Sequence, residues 1–316
     1  MKNNYFTILG IVLCLFMGCN SDDEDVKAVE NMPDWFKIED KPGEINHLIY
    51  GIYKDYGVTI FINDTLGYEE LGEDAYGNPV VHTELFNMGY YVYGTYTDGR
   101  MRLSSDTVAM IIAVNMIKDR VIPYLPEESV YRPLSFLLAD SILLTETISY
   151  TPVTREVNVY GKGLRGIVVG RLNAMKEMEQ DELNMLGGEI LAVKSADWIL
   201  EFCVDELEDY YKITGEDQYG KTSTESPFSP APKPEELGFI RRVDALISGR
   251  KYMKNPDRKQ DIQDYVTVIY AYRGEESRFY ELYSTYPKVI DKFKLMRPIV
   301  EKYEIANGIK LIKSLA

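Results

Sequence analysis

The sequence predicts an α+β fold, on three observations. Strand-like segments gather in the N-terminal half. Helical patterns flank and follow them. No repeat period or regular β–α alternation links the two kinds of segment. The 316 residues allow one large domain or two intimate ones.

Each element follows from a local pattern. Ile45, Leu48, Ile49, Ile52, Tyr53 and Tyr56 recur at i, i+3, i+4, i+7, i+8 and i+11, so they share one helix face. Pro42-Gly43-Glu44 suits the start of that helix and Gly57 its end. VTIFIND, residues 58–64, is β-branched and reads as a strand. Residues 65–89 are rich in Gly, Asp, Glu and Asn and read as a long loop. Residues 90–96 read as a strand or a tyrosine-packed loop segment. Residues 106–125 form a helix capped by Asp106 that stops near Pro123 and Pro126. Residues 133–144 read as a buried strand, and 155–172 as a hairpin with Gly161 and Gly163 in the turn. Residues 175–195 and 196–213 are helical. Four prolines between 222 and 236 mark a loop or linker. The remainder, 237–316, is helical by pattern, with helices over 261–272 and from Val289 to about Ala306.

Composition narrows the function. Hydrophobic residues at 45% and charged residues at 27% are ordinary globular values and exclude wholesale disorder. Lys and Arg number 35 against 50 Asp and Glu, a net charge of −15. Such a surface repels phosphate backbones, so no nucleic-acid partner is expected. The cysteines are Cys14, Cys19 and Cys203, and the first two fall in a targeting segment. Neither a disulfide framework nor a cysteine zinc cluster follows. Cys203, between Phe202 and Val204, reads as inert packing.

The first nineteen residues are an address. Lys2 supplies positive charge, and Tyr5 to Phe16 form an apolar run. At twelve residues the run is shorter than the roughly 20 needed to span a bilayer. The run ends in FMGC, residues 16–19, which resembles a bacterial lipobox. That resemblance implies cleavage before Cys19, acylation of its thiol, and anchoring by several acyl chains. Residues 1–18 are then a lipoprotein signal and 19–32 an acidic tether, leaving 33–316 as the folded domain. The SDDED run at 21–25 reads as a solvated linker, and is also similar to the acidic signal that places lipoproteins on the outer face of the outer membrane.

Several segments together resemble one family. They are GIYKDYGVTIFIND, VIPYLPEESVYRPLSFLLADSI, ELGFIRRVDALISGRKYMKNPDRKQDIQDYVTVIY and PKVIDKFKLMRPIVEKYEIANGIKL. The family is the zinc-binding metallopeptidase-like lipoproteins, also termed substrate-import-associated zinc metallohydrolase lipoproteins. The resemblance spans most of 33–316. It implies a zincin-like scaffold: a small mixed sheet with flanking helices, a strand-containing half to about 221, a Pro-rich loop at 222–236 and a helical half from 237. It also implies partnership with a TonB-dependent transporter and a SusD-like lipoprotein of the SusC/SusD type, and a peptide or glycan ligand.

Members of that family carry HExxH on a helix. Two histidines one turn apart bind zinc, and the glutamate activates the metal-bound water. The matching pentapeptide here is Gly188-Glu189-Ile190-Leu191-Ala192. Glu189 is kept, while Gly188 and Ala192 stand at the histidine positions. Asp261 and Asp264 match the acids of the downstream block. These five residues would be a vestigial metal pocket. Without imidazole its donors are all oxygen, which suits Ca²⁺, Mg²⁺ or no ion at all better than it suits Zn²⁺. Zinc, expected for the family, is not expected here, and no catalytic residue is assigned.

Each of these residues also has an ordinary reading. Glu189 between apolar neighbours needs a partner such as Arg165 or Lys194. Asp261 and Asp264 at i and i+3 can serve the start of a helix. The only histidines, His47 and His82, are 35 residues apart and form no local pair. GKGLRG at 161–166 lacks the phosphate-loop pattern and reads as a turn. The expectation is a surface-exposed, non-catalytic outer-membrane lipoprotein serving nutrient import. The alternative is a zinc metallopeptidase with rearranged ligands, which requires a histidine beside Glu189.

Overall fold

Alternation along three strands organises the fold. The computed structural model describes residues 34–86, 98–148, 151–162, 166–224 and 231–309. The signal segment, the tether with Cys19, Arg165, and the tyrosines Tyr90, Tyr91, Tyr93 and Tyr96 lie outside the described residues. Residues from Trp35 onward belong to one folded unit. Strands β1 (Thr59–Phe61), β5 (Ser135–Leu138), β9 (Gly166–Val169) and β8 (Val159–Lys162) form a mixed sheet in that order. The β1–β5 and β5–β9 pairs are parallel, and β8–β9 is antiparallel. Successive side chains on a strand point to opposite faces. Ile60, Phe136, Leu138, Ile167 and Val169 join the main core with the helices. Phe61, Leu137 and Val168 join a smaller core with Ile142 and Phe86. Being covered on both faces, these strands are apolar runs rather than alternating ones.

The smaller core is roofed by an antiparallel sheet of β4 (Asp98–Arg102), β6 (Ser141–Ile148) and β7 (Thr151–Val157), in the order β4-β6-β7. The segment 133–144, expected as one strand, therefore divides. The Ala139 N–H is given to Val169 and the Asp140 N–H to Arg102, so the chain changes sheets there. The expected hairpin over 155–172 is present as β8–β9, with Arg155 to Val157 belonging to β7.

Helix α1 (Glu44–Tyr56) buries Ile45, Ile49 and Ile52 and ends at Gly57, whose φ of 64° is the left-handed cap. Helix α2 (Thr107–Met116) is capped by the Asp106 carboxylate, which accepts from the Val108 and Ala109 N–H groups. The helix expected over 106–125 is regular only to Met116. A π-turn over Ile117–Val121 and a 3-10 turn over Ile122–Tyr124 follow. Pro123 has no N–H to offer the preceding turn, so the α pattern cannot continue.

Helices α3 (Gln180–Phe202) and α4 (Val204–Thr214) replace the two helices expected between 175 and 213, with the break at Cys203. Helix α5 (Pro234–Leu237) is one turn long. Helices α6 (Arg258–Ala271), α7 (Glu276–Leu282) and α8 (Pro287–Ala306) carry the expected helical C-terminal part.

Two further expectations are corrected. Residues 65–85 are not a loop: β2 (Thr65–Glu73) and β3 (Pro79–Leu85) form an antiparallel ribbon with both faces largely exposed. With no face to bury, it has no apolar alternation to reveal it. The helical half from 237 also contains an antiparallel hairpin, β11 (Val243–Ile247) and β12 (Arg250–Lys254), extended by β10 (Thr222–Thr224). Its turn residues Ser248 and Gly249 have φ of 50° and 77°, as a two-residue hairpin turn requires. Among the described residues no helix is long and apolar enough to cross a membrane.

Candidate functional site

Helices α3 and α6 lie side by side at the centre of the helical layer. Both are buried over most of their circumference. Such helices need small residues where they cross, and α3 supplies Gly187, Gly188, Ala192, Ser195 and Ala196, all buried. Gly188 faces the backbone of Thr267 on α6. A Cβ at residue 188 would meet the Thr267 carbonyl oxygen well inside 3.0 Å and its Cα at 3.2 Å. The position matched to the first zinc-binding histidine therefore has no room for any side chain.

Glu189, one residue on, lies at a polar cleft. Its carboxylate accepts from Arg241 Nη1 at 2.7 Å, and Asp264 Oδ1 accepts from Arg241 Nε at 2.6 Å. Arg241 thus bridges α3 and α6 from the segment before β11. The Arg241 side chain is 47% exposed, while those of Glu189 and Asp264 are 10% and 1% exposed. Burial opposes the Arg241 charge, but the Asp264 and Glu189 carboxylates outweigh it and raise its pKa. Burial raises the Asp264 carboxyl to about 7, against the pull of Arg241 and with help from the Asp261 charge.

Asp261 lies one turn earlier and turns away from this bridge. Its Oδ2 accepts from Lys292 Nζ of α8 at 2.6 Å, and both side chains are fully buried. Lys292 also donates to Thr214 Oγ1 at 3.1 Å. Its ammonium sits 4.4 to 5.6 Å from the ring centres of Tyr210, Tyr265, Phe239 and Tyr219, an aromatic box that favours a cation. Burial pulls the Lys292 pKa down and pushes that of Asp261 up, and each partner's charge resists the other's shift. Asp261 Oδ1 and Asp264 Oδ2 are buried without a hydrogen-bond partner in the protein.

The five residues of the expected pocket therefore separate. Glu189 and Asp264 meet at Arg241, Asp261 belongs to Lys292, Gly188 is a helix-crossing contact, and Ala192 is buried on the cleft wall. All three carboxylates are engaged by cations. Among the described residues no three His, Cys, Asp or Glu side chains converge as a metal would need. This donor set does not fit a zinc ion, which takes mostly nitrogen or sulfur ligands. His47 pairs with Asp40 at 2.5 Å and His82 with Glu84 at 3.2 Å, both in exposed settings, and neither lines the cleft.

Comparison with known protein families, with curated proteins and with solved structures finds no match to this chain.

Sequence reasoning missed Arg241 and Lys292, and each carried a signal. Val289, Lys292, Phe293 and Met296 share one phase of α8, so Lys292 stands in a core position and demands a buried anion. Asp261 and Asp264, buried beside the core residues Ile262 and Tyr265 of α6, demand cations in turn. The cleft beside Arg241 holds about 520 Å³, enough for a small ligand or a few residues of a chain. Its walls are β7 and β8 on one side, α3 and α6 below, and the β11–β12 hairpin opposite.

Proposed function

We propose that the chain is a non-catalytic accessory or substrate-binding lipoprotein of a SusC/SusD-type import system. It is anchored through acylated Cys19 in the outer membrane and faces the cell exterior. The lipobox FMGC and the acidic run after it support the anchoring. The segments resembling the metallopeptidase-like lipoproteins support the scaffold and the partnership with a TonB-dependent transporter and a SusD-like lipoprotein.

One observation carries the non-catalytic reading. The Arg241 guanidinium stands between Glu189 and Asp264, where a hydrolase would need its carboxylates free for metal and water. A permanent organic cation neutralises the acids and supplies no activated water. The cleft beside it then serves to hold a peptide or glycan rather than to cut it.

Three measurements test the proposal. A C-terminal tag on the full-length chain, pulled from solubilised outer membranes, should recover a TonB-dependent transporter, and recovery of none counts against the partnership. Cys19→Ala should release the protein from the membrane fraction. Stoichiometric zinc in the purified protein, with peptide hydrolysis lost in Glu189→Gln, would replace this reading with the rearranged metallopeptidase.

A further inference from the structure

A second cavity, of about 300 Å³, lies where α3 begins and α6 ends, and it shares no lining residue with the Arg241 cleft. Its outer wall is the π-turn over Ile117–Val121, which brings Asp119 and Arg120 to the lining together. Single π-turns of this kind recur at functional sites. Of the four charged side chains that line the cavity, two are committed. Arg273 is held by Glu304, and Glu275 by Arg278 at 2.9 Å. Arg120 and Asp119 are not. Arg120 is half-buried and gives Nη1 to Asn184 Oδ1, a neutral amide that leaves its charge uncompensated. Asp119 is exposed. Among the described residues neither forms an ion pair, with the other or with anything else.

We propose that this cavity takes a free α-amino acid in its zwitterionic form. The carboxylate meets the Arg120 guanidinium, whose remaining N–H groups suit a two-oxygen partner. The ammonium meets Asp119. The helix ends favour the same pairing. Gln180 is the first residue of α3, and the partial positive charge of that end lies on the side of Asn184 and Arg120. Ala271 is the last residue of α6, and the partial negative charge of that end attracts a cation. Asp119 and Arg120 leave the backbone from Cα atoms about 3.8 Å apart, so the ligand must carry its two charges close together. An α-amino acid carries both on one carbon, whereas the end of a peptide chain carries only one of them. The volume sets the same limit. It stands at the lower edge of the roughly 300–1,000 Å³ typical of ligand pockets, too little for an oligosaccharide or a longer peptide. The half-buried Tyr124 ring and the Ala271 methyl group offer apolar surface to the ligand's side chain.

The test is equilibrium dialysis of the full mature chain against the standard amino acids at neutral pH, with mass detection of what is retained. At least one should be retained, and adding it should raise the melting temperature by mass action. Its N-acetyl derivative lacks the ammonium and its amide lacks the carboxylate, so each should bind about tenfold or more weakly. Asp119→Asn should weaken binding by about tenfold with the melting temperature of the free protein unchanged, because that side chain is exposed. Arg120→Gln should weaken it at least as much, and Arg120→Lys, which keeps the charge without the planar fork, should recover only part. Should Arg120→Gln unfold through loss of the Asn184 contact, Asp119→Asn decides alone. Equal binding of the N-acetyl derivative and the free amino acid would overturn the zwitterion. Retention of no amino acid at millimolar concentration, or retention untouched by both substitutions, would overturn the site. Neither result bears on the importer pull-down, which decides the accessory role by itself.

Discussion

Gly188 on α3 rests against the Thr267 backbone of α6 so closely that a Cβ there would overlap the Thr267 carbonyl oxygen. The obstruction is backbone, which cannot rotate away as a flexible side chain can. Replacing Gly188 with histidine must therefore push two central helices apart. Overpacking a core typically costs about 1–3 kcal/mol, and a full imidazole at a helix crossing belongs at or above the top of that range. Introducing the HExxH pattern with Gly188→His and Ala192→His should give an unstable protein rather than a zinc enzyme. Melting temperature and bound zinc measured together check this, and a stable variant with one zinc per chain would refute it.

Arg241 supports a second prediction. Arg241→Met leaves Glu189 and Asp264 facing each other without a cation. Removing one partner of a fully buried pair costs about 3–5 kcal/mol, and the half-exposure of Arg241 reduces this to about 1–3 kcal/mol. Urea unfolding of the two proteins gives the difference. Glu189→Gln in the Arg241→Met background should recover part of the loss, because one of the stranded charges is gone.

The pH dependence has an unusual sign. An Asp carboxyl in the unfolded chain titrates near about 3.9. Asp264 in the folded protein is pushed up to about 7 by burial. The folded state thus binds the proton more readily than the unfolded state throughout that interval. Stability from this group is fully present below about pH 4, falls as pH rises, and is flat above about pH 7. The buried Asp261 and Glu304 carboxyls are also raised, in both cases mainly by burial, and act in the same direction. Urea midpoints should decline between about pH 5 and pH 7, and Asp264→Asn should flatten the profile. A wild-type midpoint that rises over this interval would contradict the assignment.

Lys292 and Asp261 form the most deeply enclosed ion pair among the described residues. Lys292→Met alone should cost about 3–5 kcal/mol, because it strands a buried carboxylate. Lys292→Met with Asp261→Asn should be much closer to wild type, since both charges leave together. A thermodynamic cycle on these two variants, Asp261→Asn alone and wild type measures the coupling, and additive losses would show that the pair is not the dominant contact of either side chain.

The sequence was legible where one face of an element is buried. Helix α1 announced itself through Ile45, Ile49 and Ile52, α2 through its Asp106 cap, and the central strands through short apolar runs. It was opaque where that rule fails. The β2–β3 ribbon exposes Tyr68 and Leu71 along with its acids, so its composition mimics a loop. The β11–β12 hairpin was hidden among helical patterns although Ser248-Gly249 marks its turn. At the site, Glu189, Asp261 and Asp264 could be picked out through the resemblance to the metallopeptidase-like lipoproteins. Their partners could not, because Arg241 is 52 residues from Glu189 and Lys292 is 31 residues from Asp261. Only the packing of α3, α6, α8 and the segment before β11 brings those charges together.

The tip of the β2–β3 ribbon ties itself off. Asp74 accepts from the Tyr76 and Asn78 N–H groups and from the Asn78 amide, so the bend is closed by its own atoms. Its Tyr76 ring, 90% exposed, contributes nothing to either core. An epitope grafted between Asp74 and Asn78 would therefore disturb neither chain end nor the interior. That makes the tip a practical handle for antibodies and dyes on the folded protein.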